Sequence, residues 1–154
     1  MQRRGRLKIV APVSVPARKP YVLNEQVGFL LRVAMQRHTS IFMSHMSEGL
    51  TQTQFAALAK LFEAGPCSQN HLGRLIYLDA ATIKGVVDRL RGRGFVATGH
   101  DRSDRRRRAV MLTAAGRRVT ESAMAAAAGI TAATLAPLAA SEQRTVVRLL
   151  KKLA

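Results

Sequence analysis

The 154-residue sequence is poor in aromatic and acidic residues. Phe, Tyr and Trp make up 5% of the chain, Trp is absent, and only 9 Asp and Glu stand against 25 Lys and Arg. A core with few aromatic rings and many alanines favours helix-on-helix packing. The formal charge of +16 favours a polyanionic partner, through Coulomb attraction and counterion release. Nucleic acid is the first candidate, and an anionic membrane surface is the second.

Long apolar runs, cysteine pairs and catalytic motifs are also missing. Polar residues break each apolar run before the roughly 18 residues that a membrane span requires, and Pro12 interrupts the short stretch that could resemble a signal peptide. We therefore expect a cytoplasmic protein without membrane contact. Cys67 is the single cysteine, which excludes an intrachain disulfide and a cysteine-based zinc site. Without a Ser-His-Asp arrangement, phosphate-binding glycine loop, metal-binding His pair or carboxylate cluster, we expect no enzymatic activity, cofactor or metal.

The sequence pattern predicts one domain preceded by a basic arm. Residues 1–20 combine Lys and Arg with three prolines and no acidic residue, which predicts a flexible segment. Helical periodicity begins at Tyr21 and continues to near Gly49, so we expect a long first helix there. The domain would therefore comprise residues 21–154.

Three shorter helices are predicted next from their N-terminal caps. Thr51 and Gln54 have the spacing of a capping box before a second helix. Ser68 can cap a third helix and Asp79 a fourth, which Gly94 would end. Helices of this length with such short connections are typical of a helix-turn-helix unit.

Beyond Gly94 the helical spacing fails. Residues 95–98 and 108–112 are partly β-branched or alternate in polarity, and a polar loop lies between them, so we predict a β-hairpin. A helix capped by Thr113 follows to about Ala136, and Pro137 and Ser141 separate it from a last helix with an apolar stripe. The predicted fold is mainly α with a small β-hairpin: a winged helix-turn-helix at about residues 51–113, with terminal helices at about 21–48 and 114–153.

The hairpin loop, residues 101–108, is dense in arginine. In a winged helix the recognition helix enters the major groove and the hairpin tip reaches the neighbouring minor groove. Adjacent guanidinium groups repel one another unless an anion lies beside them, and the negative potential of a narrow minor groove supplies one. A merely solvated turn is the alternative.

Several segments of the chain resemble the MarR family of bacterial regulators. They are Leu50-Thr51, residues 72–75, 79–90, 93–96 and 101–106, and the Leu-Thr-x-x-Gly motif at residues 112–116. Arg102 stands where the family commonly has proline. The resemblance implies a homodimer in which the terminal helices are dimerisation helices. Its two recognition helices would read successive major grooves of a pseudo-palindromic operator in double-stranded DNA.

The predicted DNA contacts lie on the third helix, the recognition helix and the wing. Thr82 can contact a base edge or a thymine methyl, and Lys84 can reach guanine or phosphate. By the resemblance, Arg106 would be the minor-groove arginine and Asp104 its positioning partner. The full set is Ser68, Gln69, Asn70, Arg74, Ala80, Ala81, Thr82, Lys84, Asp104, Arg105 and Arg106, of which the first four are phosphate contacts.

Residues 24–32, 54–61 and 65–69 resemble regulators of nicotinate and related aromatic-acid breakdown. This resemblance implies a repressor that leaves DNA when a small aromatic acid, such as a nicotinate derivative, binds between the dimer helices and the DNA-binding lobe. An anionic effector requires a cation and hydrogen-bond donors beside an apolar wall. The candidates are Arg32, Gln36, His38 and His71, each with a purely structural role as its alternative.

Two other functions stay open. Cys67 precedes a helix N-terminus, which can lower a thiol pKa, so a redox-responsive family member is conceivable. Inert packing is favoured, because the chain offers no second cysteine to resolve an oxidised thiol. A DNA binder without sequence preference is the other alternative, supported by the charge of +16. For Arg89, Arg91 and Arg93, solvation or pairing with Asp88 stands beside DNA contact as an alternative, so we do not include them among the predicted contacts.

Overall fold

A computed structural model describes residues 20–100 and 108–153. It contains six α-helices and one two-stranded antiparallel sheet within those ranges. The helices are α1 (Val27–His45), α2 (Gln52–Ala64), α3 (Gln69–Leu75), α4 (Ala80–Gly92), α5 (Ala114–Leu135) and α6 (Ala140–Leu153). The strands are β1 (Val96–His100) and β2 (Arg108–Leu112), with short 3-10 turns at Leu23–Glu25 and Ser47–Gly49. The basic arm up to residue 19 and most of the wing loop lie outside the described residues.

Side-chain caps start four of the helices, as the sequence predicts. At α2 the Thr51 hydroxyl accepts from the Gln54 amide while the Gln54 side chain accepts from the Thr51 amide, which completes the capping box. Ser68 caps α3 and Thr113 caps α5 through the same hydroxyl-to-amide geometry. The Asp79 carboxylate caps α4. Because each of these contacts spans three residues, the local sequence determines where these helices begin.

The apolar core lies inside the helix-turn-helix lobe. Leu50, Leu58, Leu72, Ile83 and Leu90 are all fully buried there. The core continues toward the terminal helices through Phe42 of α1 and through Ala123 and Ile130 of α5. Since α1 and α5 also contact each other, the core joins the helix-turn-helix lobe to this pair of helices.

The helix and strand boundaries differ from the prediction in several places. The first helix begins at Val27, after a 3-10 turn at Leu23–Glu25, and not at Tyr21. It ends at His45, and a second 3-10 turn carries the chain to Gly49. Phe95 precedes β1, because its amide still bonds the Leu90 carbonyl at the end of α4. Ser141 lies inside α6, since the Glu142 carboxylate accepts from the Ala139 amide and starts that helix before it.

The last helix, α6, buries none of its side chains in the single chain. Leu149, Leu150 and Leu153 stay 45%, 47% and 74% exposed, and Val27 at the start of α1 is 68% exposed. No single helix in the described part of the chain is long and apolar enough to cross a membrane; α5 and α6 reach that composition only together, across a bend of 109°.

Candidate nucleic-acid interface and effector site

The recognition helix, α4, presents a polar face built on a buried apolar one. Ile83, Val86, Val87 and Leu90 lie in the core. Ala80, Ala81, Thr82 and Lys84 are exposed at its first turns, where the sequence predicts DNA contacts. This helix end is slim because two of its side chains are methyl groups, so its backbone can approach base edges closely.

The Thr82 side chain is already oriented by the helix cap. Asp79 Oδ1 accepts from the Thr82 amide at 2.8 Å and Oδ2 accepts from the Thr82 hydroxyl at 2.7 Å. These bonds hold the pKa of the Asp79 carboxyl below its usual range. With its proton directed to Asp79, the Thr82 oxygen can accept from a base amine, and the Thr82 methyl can contact a thymine methyl.

Lys84 is an exposed cation near the start of the recognition helix. Its ammonium bonds the Asp88 carboxylate at 2.7 Å, and Arg91 bonds the other oxygen of Asp88 at 3.0 Å. The hydrogen bond from Lys84 is the main cause of the lowered Asp88 pKa. Because Lys84 is 67% exposed, the pair is a weak surface ion pair, and the ammonium can leave it for a phosphate or guanine.

The candidate phosphate contacts lie along α3 and at the foot of the wing. Asn70 and Arg74 are exposed, Gln69 is half-buried, and the Ser68 oxygen caps the helix while its proton stays available for donation. The exposed Arg108 begins β2. The remaining wing candidates, Asp104, Arg105 and Arg106, lie outside the described residues.

Cys67 lies beside the wing, at a half-open cavity of about 630 Å³. Its backbone pairs with Val110 in both directions, at 3.2 and 2.8 Å, and so extends the hairpin by one antiparallel bridge. Burial raises the pKa of the Cys67 thiol. A helix N-terminus that activated the thiol would lower its pKa, whereas burial raises it, so the structure favours a packing role for Cys67.

Arg32 and Gln36 meet on one face of α1. The Arg32 guanidinium lies 5.1 Å from the centre of the Phe29 ring and donates to the Gln36 amide oxygen at 3.4 Å. All of these groups are on consecutive turns, because residues three and four apart share a helix face. A cation, an amide and an aromatic ring are thus together on α1, and their role in effector binding stays a prediction.

His38 lies on a different side of α1, facing α5. Its Nδ1 is 2.9 Å from the Thr134 hydroxyl, and its ring centre is 6.4 Å from that of Phe42. Next to it, the Arg37 guanidinium donates to the carbonyls of Ala133 and Thr134 at the end of α5. The structure therefore divides the effector candidates between two faces of α1.

His71 is separate from the other effector candidates. It is exposed on α3 and lines the cavity beside Cys67, together with Arg74 and Arg108. Its Nδ1 lies 3.4 Å from the Arg74 guanidinium. The geometry thus groups His71 with the candidate DNA contact Arg74 and with Arg108.

Sequence analysis did not predict two long-range contacts, which Arg37 and Arg93 make. Arg37 bonds α5 carbonyls 96 and 97 residues away. Arg93, which is exposed, donates to the Glu48 carbonyl and stacks 4.6 Å above the Phe95 ring, whereas Arg91 is the arginine that pairs with Asp88. No local signal could have revealed either contact, because both depend on how the helices dock.

Comparison with known proteins agrees with this architecture. A model of the MarR family matches residues 50–107. The transcriptional repressor NicR from Pseudomonas putida is 38% identical over 95% of this chain and 94% of its own length.

Two solved structures are also similar. A probable transcriptional regulator from Pseudomonas aeruginosa is 50% identical with a TM-score of 0.83, covering 86% of this chain and 100% of its own. BpsR from Bordetella bronchiseptica, whose DNA binding is regulated by 6-hydroxynicotinic acid, is 40% identical with a TM-score of 0.81, covering 88% of this chain and 97% of its own. On these similarities, the chain belongs to the MarR family of winged-helix transcriptional regulators.

Proposed function

We propose that this chain is a sequence-specific operator-binding repressor that a small aromatic acid of the nicotinate class releases from DNA. The observation that carries the proposal is the slim, exposed N-terminal end of α4, positioned by the Asp79 cap on a buried core. The relative BpsR supports the effector class, and the relative NicR supports the role of a repressor. The proposed DNA contacts are Ser68, Gln69, Asn70, Arg74, Ala80, Ala81, Thr82, Lys84, Asp104, Arg105 and Arg106.

The proposed repressor acts as a homodimer. The apolar side chains of α6 and of the first turns of α1 are exposed in the single chain, including Leu149, Leu150, Leu153 and Val27. Burying them against a second copy would remove this apolar surface from water and place two recognition helices on one duplex. Light scattering should therefore give a molecular mass of twice 16.8 kDa, and Leu150→Glu should shift that mass toward the value of the monomer.

The proposed effector site begins at the cluster of Phe29, Arg32 and Gln36. A carboxylate can accept two bonds from a guanidinium, and an aromatic ring can pack against Phe29. Across the helix, His38 and Thr134 offer a second polar pair. We place the acid between these helices and the lobe, where its binding can change the angle of α4 relative to its dimer mate.

The experiment first selects an operator from a random duplex pool with the wild-type chain and measures its affinity by fluorescence anisotropy. A specific regulator keeps an affinity ratio of about 1,000 or more between the operator and a random duplex. Equal affinity for both duplexes would favour the alternative, a non-specific DNA binder.

The second arm titrates 6-hydroxynicotinate and nicotinate into the operator complex. We expect release, and we expect Arg32→Ala to raise the required concentration about tenfold or more by removing a charge-assisted bond. Lys60→Ala is the control, because within the described residues Lys60 pairs with Glu63 of the same helix, α2. If neither acid, nor any other small aromatic acid tested in the same way, dissociates the complex, the proposed effector class is contradicted while the proposed operator binding is not.

A further inference from the structure

Two helices of the DNA-binding lobe end in the same hydrogen-bonded turn. At the end of α4, the Gly94 amide donates to the Arg91 carbonyl and the Phe95 amide to the Leu90 carbonyl. At the end of α3, the Tyr77 amide donates to the Arg74 carbonyl and the Leu78 amide to the Gly73 carbonyl. Both are Schellman motifs, which place one residue in the left-handed region.

The residue types at that left-handed position differ. Gly94 has φ of 74°, which glycine adopts without steric cost. Tyr77 has φ of 57°, where the Cβ of an L-residue crowds the backbone. The turn between α3 and the recognition helix thus carries a strained residue where glycine would be favoured.

The Tyr77 side chain makes no contact in the described residues that would offset this backbone strain. It is 87% exposed, and its hydroxyl has no hydrogen-bond partner among residues 20–100 and 108–153. The neighbouring Leu78 packs against the core. Since Leu78 already anchors the turn, packing does not explain the tyrosine.

The position of Tyr77 suggests what it contacts. It stands two residues before the Asp79 cap, at the end of α4 where Ala80 and Ala81 are exposed. It also follows the exposed Arg74 by three residues and bonds its carbonyl. In a helix-turn-helix this edge faces the duplex, and tyrosine hydroxyls are among the donors that phosphate oxygens accept.

We propose that the Tyr77 hydroxyl donates a hydrogen bond to a backbone phosphate beside the groove that α4 enters. This inference rests on the proposed function, because it requires a bound duplex. Tyr77 is then a positioning residue, which fixes the angle of the recognition helix without reading a base. The phosphate contact explains why a strained tyrosine is present in this turn.

The test uses Tyr77→Gly and Tyr77→Phe in the full chain, with the selected operator and a random duplex as probes. Tyr77→Gly should relieve the strain and raise the folding equilibrium constant by up to about fivefold, yet bind DNA about tenfold more weakly. Tyr77→Phe should keep wild-type stability and lose about as much affinity. Tyr21→Phe, which changes the other exposed tyrosine, should alter neither quantity.

The salt dependence separates this contact from an ionic one. A neutral hydroxyl displaces no counterion, so Tyr77→Phe should leave the slope of log affinity against log salt unchanged, whereas Arg74→Ala should reduce it by about one. Wild-type affinity in both Tyr77 variants, or a loss in Tyr77→Gly alone, would overturn the inference. A wild-type chain that binds no duplex would overturn the proposed function itself, which is a distinguishable result.

Discussion

Replacing Gly116 by alanine would drive a methyl group into the backbone of Phe95, between the end of the recognition helix and β1. The new Cβ would overlap the Phe95 carbonyl oxygen and lie 2.7 Å from its carbonyl carbon. Non-bonded carbon atoms rest at about 3.5 Å or more, and a backbone carbonyl cannot rotate away as a side chain can. The first turn of α5 must therefore retreat from β1 by roughly 1 Å.

That retreat strains two hydrogen bonds that join α5 to the end of the recognition helix. The Thr113 amide donates to the Phe95 carbonyl at 3.1 Å, and the Thr113 hydroxyl donates to the Gly94 carbonyl at 2.6 Å. Losing both costs about 2 kcal/mol and overpacking costs about 1 to 3 kcal/mol, while the better helix propensity of alanine returns about 1 kcal/mol. We expect a net loss of about 2 to 4 kcal/mol.

Urea denaturation followed by circular dichroism measures this loss. Gly129→Ala is the matched control, because it lies in the same helix and a Cβ there meets nothing within 4 Å. The control should be more stable than wild type by about 1 kcal/mol. A Gly116→Ala protein as stable as Gly129→Ala would refute the reasoning, and with it the explanation of the glycine that ends the Leu-Thr-x-x-Gly motif.

Three further predictions concern single side chains. The Asp79 carboxyl has a lowered pKa, so its cap stabilises the fold fully above the unfolded pKa of about 3.9, and this stabilisation is lost as pH falls through the folded pKa. Below about pH 4, the thermal unfolding midpoint of wild type should therefore fall more steeply than that of Asp79→Ser. Arg93→Ala should lower stability by about 1 kcal/mol in urea titrations, while Arg91→Ala, which removes an exposed ion pair, should change it little. The raised pKa of Cys67 predicts slow thiol alkylation at neutral pH and operator binding that mild peroxide leaves unchanged.

Much of the helix-turn-helix could be predicted from the sequence because its signals are local. The caps at Thr51, Ser68, Asp79 and Thr113 each involve residues three apart, and the structure confirms all four. The apolar spacing of α4 likewise identifies both its buried face and its exposed one. These features depend on short stretches of chain, so no knowledge of tertiary docking is needed.

The candidate effector site was less predictable because part of it depends on how α1 docks. The contacts of Arg32 with Phe29 and Gln36 are local to α1, but only docking against α5 brings His38 to Thr134. The left-handed backbone conformations of Glu48 and Tyr77 were also not predicted, since neither residue is a glycine or asparagine.

The most direct test of the account is an anisotropy titration of 6-hydroxynicotinate into the complex of the wild-type protein with its selected operator. The account predicts that the acid releases the operator at concentrations that leave binding by Arg32→Ala intact. Operator affinity that stays constant throughout the titration, for wild type and variant alike, would contradict it.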